Sequence, residues 1–439
     1  MTMDNDVASP TSIDGDVDED DYAPFSSSTE VAAIAAVDLA DIDSGNVAAV
    51  DASRDALHLA DESEVDGTNA KSNERTMLRE QTWLNIMYLS LFSIIGSSLR
   101  VFMGRIFGAD CDLNVEGGQI NDFLWPSSHT ICITASGKTE QYGGALFIDL
   151  PANMLGSFIM GCNVGRLADW PAIPLLAYNH PLQSDKGLHM GITTGFCGSL
   201  TTLSSWNSQM VMMMNGNANP YLGSQVIAAL FGYILGLQTS LVSFRAGRAF
   251  AAFVHAKRNP DHDSYGNEIR WRHYHNHLCW IIPVILLIVS GTLIAVYVAG
   301  DMYWDILYYR QVWIACILAP FGTLLRWKLS AWNGTLSFPL GTFLSNFMAS
   351  IVSAAITALV NVESNDDGKA NWKMPMMQAI SLGFTGCLST VSTFTKECVE
   401  IGERNPPYSK KQFMYSHGTL FTCCIAGLLV YSLISKFCI

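Results

Sequence analysis

The chain has 439 residues and a mass of 48.0 kDa, of which 49% are hydrophobic and only 15% charged. Its acidity is local: the first 80 residues hold 20 of the 39 acidic and 4 of the 25 basic residues, so the remainder is slightly positive. That distribution excludes a strongly basic nucleic-acid-binding face and, because long uncharged stretches fill residues 81–439, a single water-soluble core there. The mean hydropathy of +0.23 averages a polar tail with a membrane domain.

From Met1 to about Ser72 the sequence is rich in Asp, Ser and Ala and nearly free of aromatic residues. So little apolar surface cannot offset chain entropy, and a disordered tail is expected. The tail opens without a basic stretch leading into an apolar one, which predicts insertion through the first membrane span rather than a cleaved signal. A helix needs about 20 largely apolar residues to cross the hydrocarbon core. Nine segments qualify, at about 82–103, 142–165, 188–213, 222–244, 279–299, 311–330, 337–360, 375–396 and 413–435. In the sixth, the uncharged run from Gln311 to Leu325 is short, and it spans if Arg326 and Lys328 snorkel to the interface.

Placing the tail in the cytosol puts 18 of the 25 basic residues on that side. The amino terminus is therefore expected inside and, with nine spans, the carboxy terminus outside. The sequon Asn333-Gly334-Thr335 then faces the cytosol and stays unmodified. The 11 cysteines show no zinc spacing, and those in apolar runs, such as Cys423 and Cys424, read as small buried hydrophobes. Cys111 and Cys132 share an outside loop, a compartment that permits a disulfide. His273, His275 and His277 alternate in the basic loop before the fifth span, as a metal site or as a juxtamembrane anchor.

The sequence repeats itself. The first half reads Gly96-Ser-Ser-Leu-Arg100, then Pro151-Ala-Asn153-Met-Leu-Gly156, then Gly195-Phe-Cys-Gly198-Ser-Leu-Thr201-Thr202-Leu-Ser204-Ser205-Trp206. The second reads Gly322-Thr-Leu-Leu-Arg326, then Gly341-Thr342-Phe-Leu-Ser-Asn346, then Gly383-Phe-Thr-Gly386-Cys-Leu-Ser389-Thr390-Val-Ser392-Thr393-Phe394. Three blocks recur in one order. Each repeat holds four spans, and the fifth span belongs to neither, so the second copy is expected upside down relative to the first. The fold class that follows is an all-α integral membrane protein of nine transmembrane helices, two inverted four-helix repeats joined by a linker helix. The expected layout is a tail over 1–80, a first repeat over 81–245, a basic loop and linker helix over 246–305, and a second repeat over 306–439. Functional groups belong near the midplane where the copies meet. The glycine- and hydroxyl-rich blocks lie inside the third and eighth spans and make poor continuous helix. A break there frees carbonyls for a cation, whereas the plainer reading is small-residue helix packing.

These paired blocks resemble the fluoride channels of the bacterial CrcB/Fluc family, and the duplicated, linker-joined arrangement resembles the eukaryotic fluoride export proteins. The resemblance covers about residues 82–436. It implies a passive fluoride-selective channel exporting the anion, and no enzyme. It also implies a plasma-membrane location, fluoride and lipid as partners, no nucleic acid, and a monomer, because the family's dimer interface becomes internal. A structural Na⁺ is implied at backbone carbonyls of Gly198, Thr201, Gly386 and Ser389.

Fluoride is strongly hydrated, so its path must replace water with donors. Asn153 and Asn346 are the matching amides, as anion donors or as interhelical hydrogen bonds. Thr202, Ser205, Thr390, Thr393 and Thr342 extend the polar path. The family's two anion-facing phenylalanines correspond to Leu203 and Trp206 in one copy and to Val391 and Phe394 in the other. Only Phe394 keeps the ring edge, and Trp206 offers a ring edge or its indole N–H. Asp149 stands where the second copy has Thr342. It either faces an interfacial water pocket or closes a degenerate pore. Arg100 and Arg326 match the family's first-helix arginine, as vestibule charges or as interface anchors. The alternative function is a proton- or sodium-coupled transporter, against which stands the lack of a carboxylate–basic pair in the spans. A membrane scaffold or enzyme lacks any supporting motif.

Overall fold

The computed structural model describes residues 79–104, 106, 146–164, 173, 175–176, 180–215, 222–258, 272–304, 307–334, 338–363, 372–404 and 410–437. The chain divides into two units, Met1–Asn73 and Glu74–Ile439, and all described residues belong to the second. The tail and the loop holding Cys111 and Cys132 therefore lie outside the described residues.

Within them every regular element is helical. In chain order these are α1 (Arg79–Gly104), α2 (Leu150–Asn163), α3 (186–200), α4 (Leu203–Asn215), α5 (Leu222–Arg258), α6 (Arg272–Trp304), α7 (Leu307–Ser330), α8 (Leu340–Glu363), α9 (373–388), α10 (Ser392–Arg404) and α11 (Lys410–Phe437). Among the described residues six helices are long and apolar enough to cross a membrane: α1, α5, α6, α7, α8 and α11. They coincide with six of the nine expected segments. Of the other three, the segment at 142–165 holds the 14-residue α2. The segments at 188–213 and 375–396 are each divided into two helices.

The divisions have a local cause. Both α3 and α9 open as α-helix, widen into π-helical turns over Gly191–Cys197 and Ile380–Thr385, and close with three α-helical residues. At Thr201 (φ −97°, ψ 143°) and Ser389 (φ −80°, ψ 159°) the backbone then turns extended. Glycines, β-branched residues and hydroxyls that compete for backbone hydrogen bonds make these the weakest helical stretches of the chain. The second broken segment also runs further than expected. Helix α10 continues to Arg404, eight residues past the anticipated end.

Helix α2 packs extensively on α5 and α8 on α11, equivalent places in the two halves, and α7 packs extensively along α9. One apolar core spans both halves, including Phe147, Leu203, Trp206, Val391, Phe394 and Tyr415. The outer faces are apolar as well: Ile227, Phe231, Leu287, Ile288, Phe421 and Leu433 are all more than half exposed. So much contiguous exposed apolar surface suits lipid, not water. Helix α6 is the most peripheral, with 11% of its apolar window buried against 50% for α1. Cys162, Cys197, Cys316, Cys387, Cys398 and Cys423 are buried thiols, as their apolar setting led us to expect, whereas Cys424 is only half-buried. His273, His275 and His277 fall on the opening turns of α6 rather than in a loop, and their side chains lie outside the described residues. No group of three or more metal-ligating side chains occurs among the described residues.

Candidate functional site

The two chain breaks meet. Thr201 Oγ1 lies 3.3 Å from Thr390 Oγ1 and donates to Ser392 Oγ at 3.1 Å, and it accepts from Val391 N and Ser392 N at 3.1 Å. In return Ser389 Oγ lies 3.0 Å from Thr202 Oγ1 and accepts from Ser204 N at 3.1 Å. Every one of these residues is buried. Hydroxyls from each half thus satisfy backbone groups at the other half's break, and irregular backbone persists at depth only when it is buried in protein in this manner.

Each half also lends an arginine to the other. Arg326 Nη1 donates to Gly198 O at 2.7 Å and Ser389 O at 3.0 Å, and its Nη2 to Thr194 O at 2.5 Å. Arg100 Nη1 donates to Gly386 O at 2.7 Å and Ser199 O at 2.8 Å, and its Nη2 to Leu382 O. Gly198 and Gly386 have a specific reason to lack a side chain: a Cβ on either would collide with the guanidinium of Arg326 or Arg100. Both arginines are 3% exposed. Neither stands at a vestibule or anchors an interface, and Arg326 does not snorkel, although Lys328 is exposed. A guanidinium presents five donors in a rigid planar fork, so it reaches carbonyls on separate segments at fixed angles, whereas a lysine's three donors crowd one nitrogen.

The residues offered for a structural Na⁺ lie at these same breaks. Gly198, Gly386 and Ser389 each give a carbonyl to an arginine. A peptide oxygen has two lone pairs, so one acceptor site remains on each. Neutral oxygens on unwound backbone fit a small hard cation in donor type, with the two guanidinium charges opposing it.

Asn153 and Asn346 clamp the breaks from α2 and α8. Asn153 Nδ2 donates to Thr202 O at 3.1 Å and its Oδ1 accepts from Thr202 N at 2.8 Å; Asn346 repeats the bracket on Thr390 at 3.1 and 2.7 Å. The interhelical role is thus filled, and one of two amide N–H groups on each side chain is left over from the bracket. Thr202 and Thr390 also cap the following helices, their Oγ1 atoms accepting from Ser205 N and Thr393 N at 3.4 Å.

Beside each bracket lies a carboxyl. Asp149 precedes α2, with Pro151 in the first turn, yet its side chain makes no cap. Its Oδ2 instead accepts from Ser205 Oγ at 2.5 Å and Gln209 Nε2 at 3.4 Å. In the second half Glu397 Oε1 accepts from Thr342 Oγ1 at 2.7 Å and Asn333 Nδ2 at 2.9 Å, and Oε2 accepts from Tyr415 OH at 2.7 Å. Glu397, Gln209, Asn333 and Tyr415 were not anticipated. Glu397 was missed because the span was ended at 396. Carrying the repeat three residues past Trp206 and Phe394 would have paired it with Gln209.

The two aromatic positions differ. Phe394 is fully buried and meets Tyr415 edge to face at 5.3 Å. Trp206 stacks on Phe147 at 4.9 Å, and its buried Nε1 has no hydrogen-bond partner among the described residues. Leu203 and Val391 are core residues.

The family model of the CrcB-like protein, Camphor Resistance (CrcB), matches two segments, residues 87–237 and 313–431. The chain is 28% identical over 304 residues to fluoride export protein 1 of Candida albicans, covering 64% of this chain and 69% of that protein. To fluoride export protein 1 of Saccharomyces cerevisiae it is 25% identical over 312 residues, covering 61% and 83%. To the fluoride-specific ion channel FluC of Acinetobacter baylyi it is 32% identical over 128 residues, 28% of this chain and 94% of that one. No solved structure matches. The two matched segments carry the arginine clasps, the asparagine brackets and the facing breaks, and on this ground the chain belongs to the CrcB-like family.

Proposed function

We propose that this protein is a passive fluoride channel that exports the anion from the cytosol. The carrying observation is the doubled arrangement at the breaks, arginine clasp and asparagine bracket in each half, within a chain similar to fluoride export proteins and to a fluoride-specific ion channel. HF that enters from an acidic exterior ionises in the neutral cytosol, and the anion leaves down its gradient. Phe394, Asn346 and Thr393 line the path in the second half, and Asn153, Thr202 and Trp206 in the first, with Thr390 between; Thr342 and Ser205 flank it, their hydroxyls given to Glu397 and Asp149. The indole N–H of Trp206, without a partner among the described residues, supports its place as an anion donor. Nine crossings in two inverted repeats, a monomeric state and a plasma-membrane location complete the reading. No enzymatic step is assigned.

A Na⁺ held by the carbonyls of Gly198, Thr201, Gly386 and Ser389 would fix the two breaks against each other. Unfolding of purified protein in Na⁺ and in N-methylglucamine buffers tests it: a higher midpoint in Na⁺ supports the cation, and equal midpoints reject it.

The buried carboxyls Asp149 and Glu397 favour a second reading, proton-coupled transport. Efflux from liposomes separates the two. A channel passes fluoride far faster than chloride with no proton gradient imposed; equal fluxes of both anions, or a strict need for the gradient, reject it.

A further inference from the structure

The two halves carry one carboxyl each at the same helix junction, and they supply it from opposite helices. Asp149 stands four residues before the bracket Asn153, as Thr342 stands four before Asn346; Gln209 stands seven residues after Thr202, as Glu397 stands seven after Thr390. Both pairs are joined by a hydrogen bond across the junction, and its direction is reversed. In the first half Gln209 donates to Asp149 at 3.4 Å; in the second Thr342 donates to Glu397 at 2.7 Å. Asp149 and Glu397 are each 8% exposed. Each is held by neutral donors, Ser205 and Gln209 in one case, Thr342, Asn333 and Tyr415 in the other, and neither forms an ion pair among the described residues.

A buried carboxyl is costly and persists only when its donors suit it. Two acids at one junction would repel, and none would leave buried donors unpaired. An acid-for-neutral exchange at both positions together keeps the count at one, whereas a change at either alone does not. We propose that Asp149 is the first half's counterpart of Glu397. One carboxyl per half is a positioning group of the anion path, which holds the hydroxyls beside the bracket, and the helix that supplies it is interchangeable. This rests on the fluoride-channel reading.

The test transplants the first-half arrangement into the second half of the full chain with Thr342→Asp/Glu397→Gln, beside each single variant. Fluoride efflux from liposomes and the thermal midpoint in detergent are both read. Each single variant is expected to slow efflux about tenfold or more, and the double variant to return within about twofold of wild type, the strong coupling expected of residues in contact. A double variant as slow as the singles, or a Glu397→Gln variant with wild-type efflux, overturns the proposal. A restored midpoint without restored efflux also overturns it, since that is what mere packing predicts. Should the second-half variants fail to fold, Asp149→Thr/Gln209→Glu poses the same question with the same outcomes. Wild-type protein that passes no fluoride would reject the channel reading instead, and the midpoints would still report whether the exchange is tolerated.

Discussion

The guanidinium of Arg326 fills the space where Gly198 lacks a side chain, and Arg100 does the same at Gly386. Sequence could list these four residues as repeated but not join them, because each arginine reaches across to the other half; the pairing has no signature in spacing along one copy. Gly198→Ala should therefore unsettle the clasp, and shortening the arginine should relieve it. Arg326→Met alone strips three carbonyls of their donor, at about 1–3 kcal/mol for each one left buried and unpaired. We expect Gly198→Ala/Arg326→Met to lose less stability than the sum of the two single changes, measured by thermal unfolding in detergent; simple additivity would show that the two do not compete for one space. At the aromatic position Phe394→Ile removes the ring edge proposed to face the path and should abolish most fluoride efflux at unchanged insertion. Leu203, which sequence offered only as a lost phenylalanine, is a fully buried core residue. Leu203→Ala should cost about 2–5 kcal/mol of stability while sparing the rate per inserted molecule, so efflux normalised to folded protein is the decisive measurement.

At the scale of elements, the breaks were legible and the helix ends were not. Glycine and paired hydroxyls within apolar runs signal weak helix, and the chain does leave helical geometry at Thr201 and Ser389. Hydropathy alone ended the eighth segment at Lys396, because a charged residue is the ordinary mark of a membrane boundary. Helix α10 ignores that mark: Glu397, Cys398 and Val399 are all buried, while Lys396 and Glu400 flank them one turn apart and approach to 3.8 Å. Only tertiary contact with Thr342, Asn333 and Tyr415 makes the carboxyl affordable there. The asparagine brackets follow the same logic in a neutral form, tying α2 to one break and α8 to the other with matching geometry. Their symmetry predicts similar losses for Asn153→Ala and Asn346→Ala, about 1–3 kcal/mol each from the unpaired Thr202 and Thr390 backbone. A stability loss confined to one of them would show that the two breaks are not held alike. Helix α6 presents the opposite case. Its apolar side chains face outward, so Ile288→Leu or Val284→Leu should leave folding untouched, whereas Ser290, 2% exposed and bonded to Leu91 O at 3.3 Å, should not tolerate Phe.

For the whole molecule the decisive matter is whether the broken helices cross the membrane. Six long helices leave nine crossings three short, and the three would be α2 and the two composites of broken helices. Helices α3 and α4 together hold 28 helical residues, and α9 and α10 hold 29. At about 1.5 Å per residue each composite is about 40 Å long, enough for the hydrocarbon core, while either part alone is about 20 Å and falls short. Stacked end to end across a break they span; folded back they would form re-entrant hairpins whose two ends emerge on one face. Asn333, which sequence offered as a topological marker, cannot decide this. Its amide is engaged with Thr342 and Glu397, so an unmodified Asn333 would carry no information about sidedness. Labelling before and after one composite does decide. With Cys111, Cys132, Cys279, Cys424 and Cys438 replaced by Ser, a Ser184→Cys reporter precedes α3 and an Asn219→Cys reporter follows α4, and the remaining cysteines are buried thiols. The excess of basic residues on one side predicts an amino terminus inside. A membrane-impermeant maleimide applied to sealed cells should then modify the reporter at 219 and spare the one at 184 until the membrane is opened. Labelling of both from one side would make α3 and α4 a re-entrant pair and remove the nine-crossing arrangement.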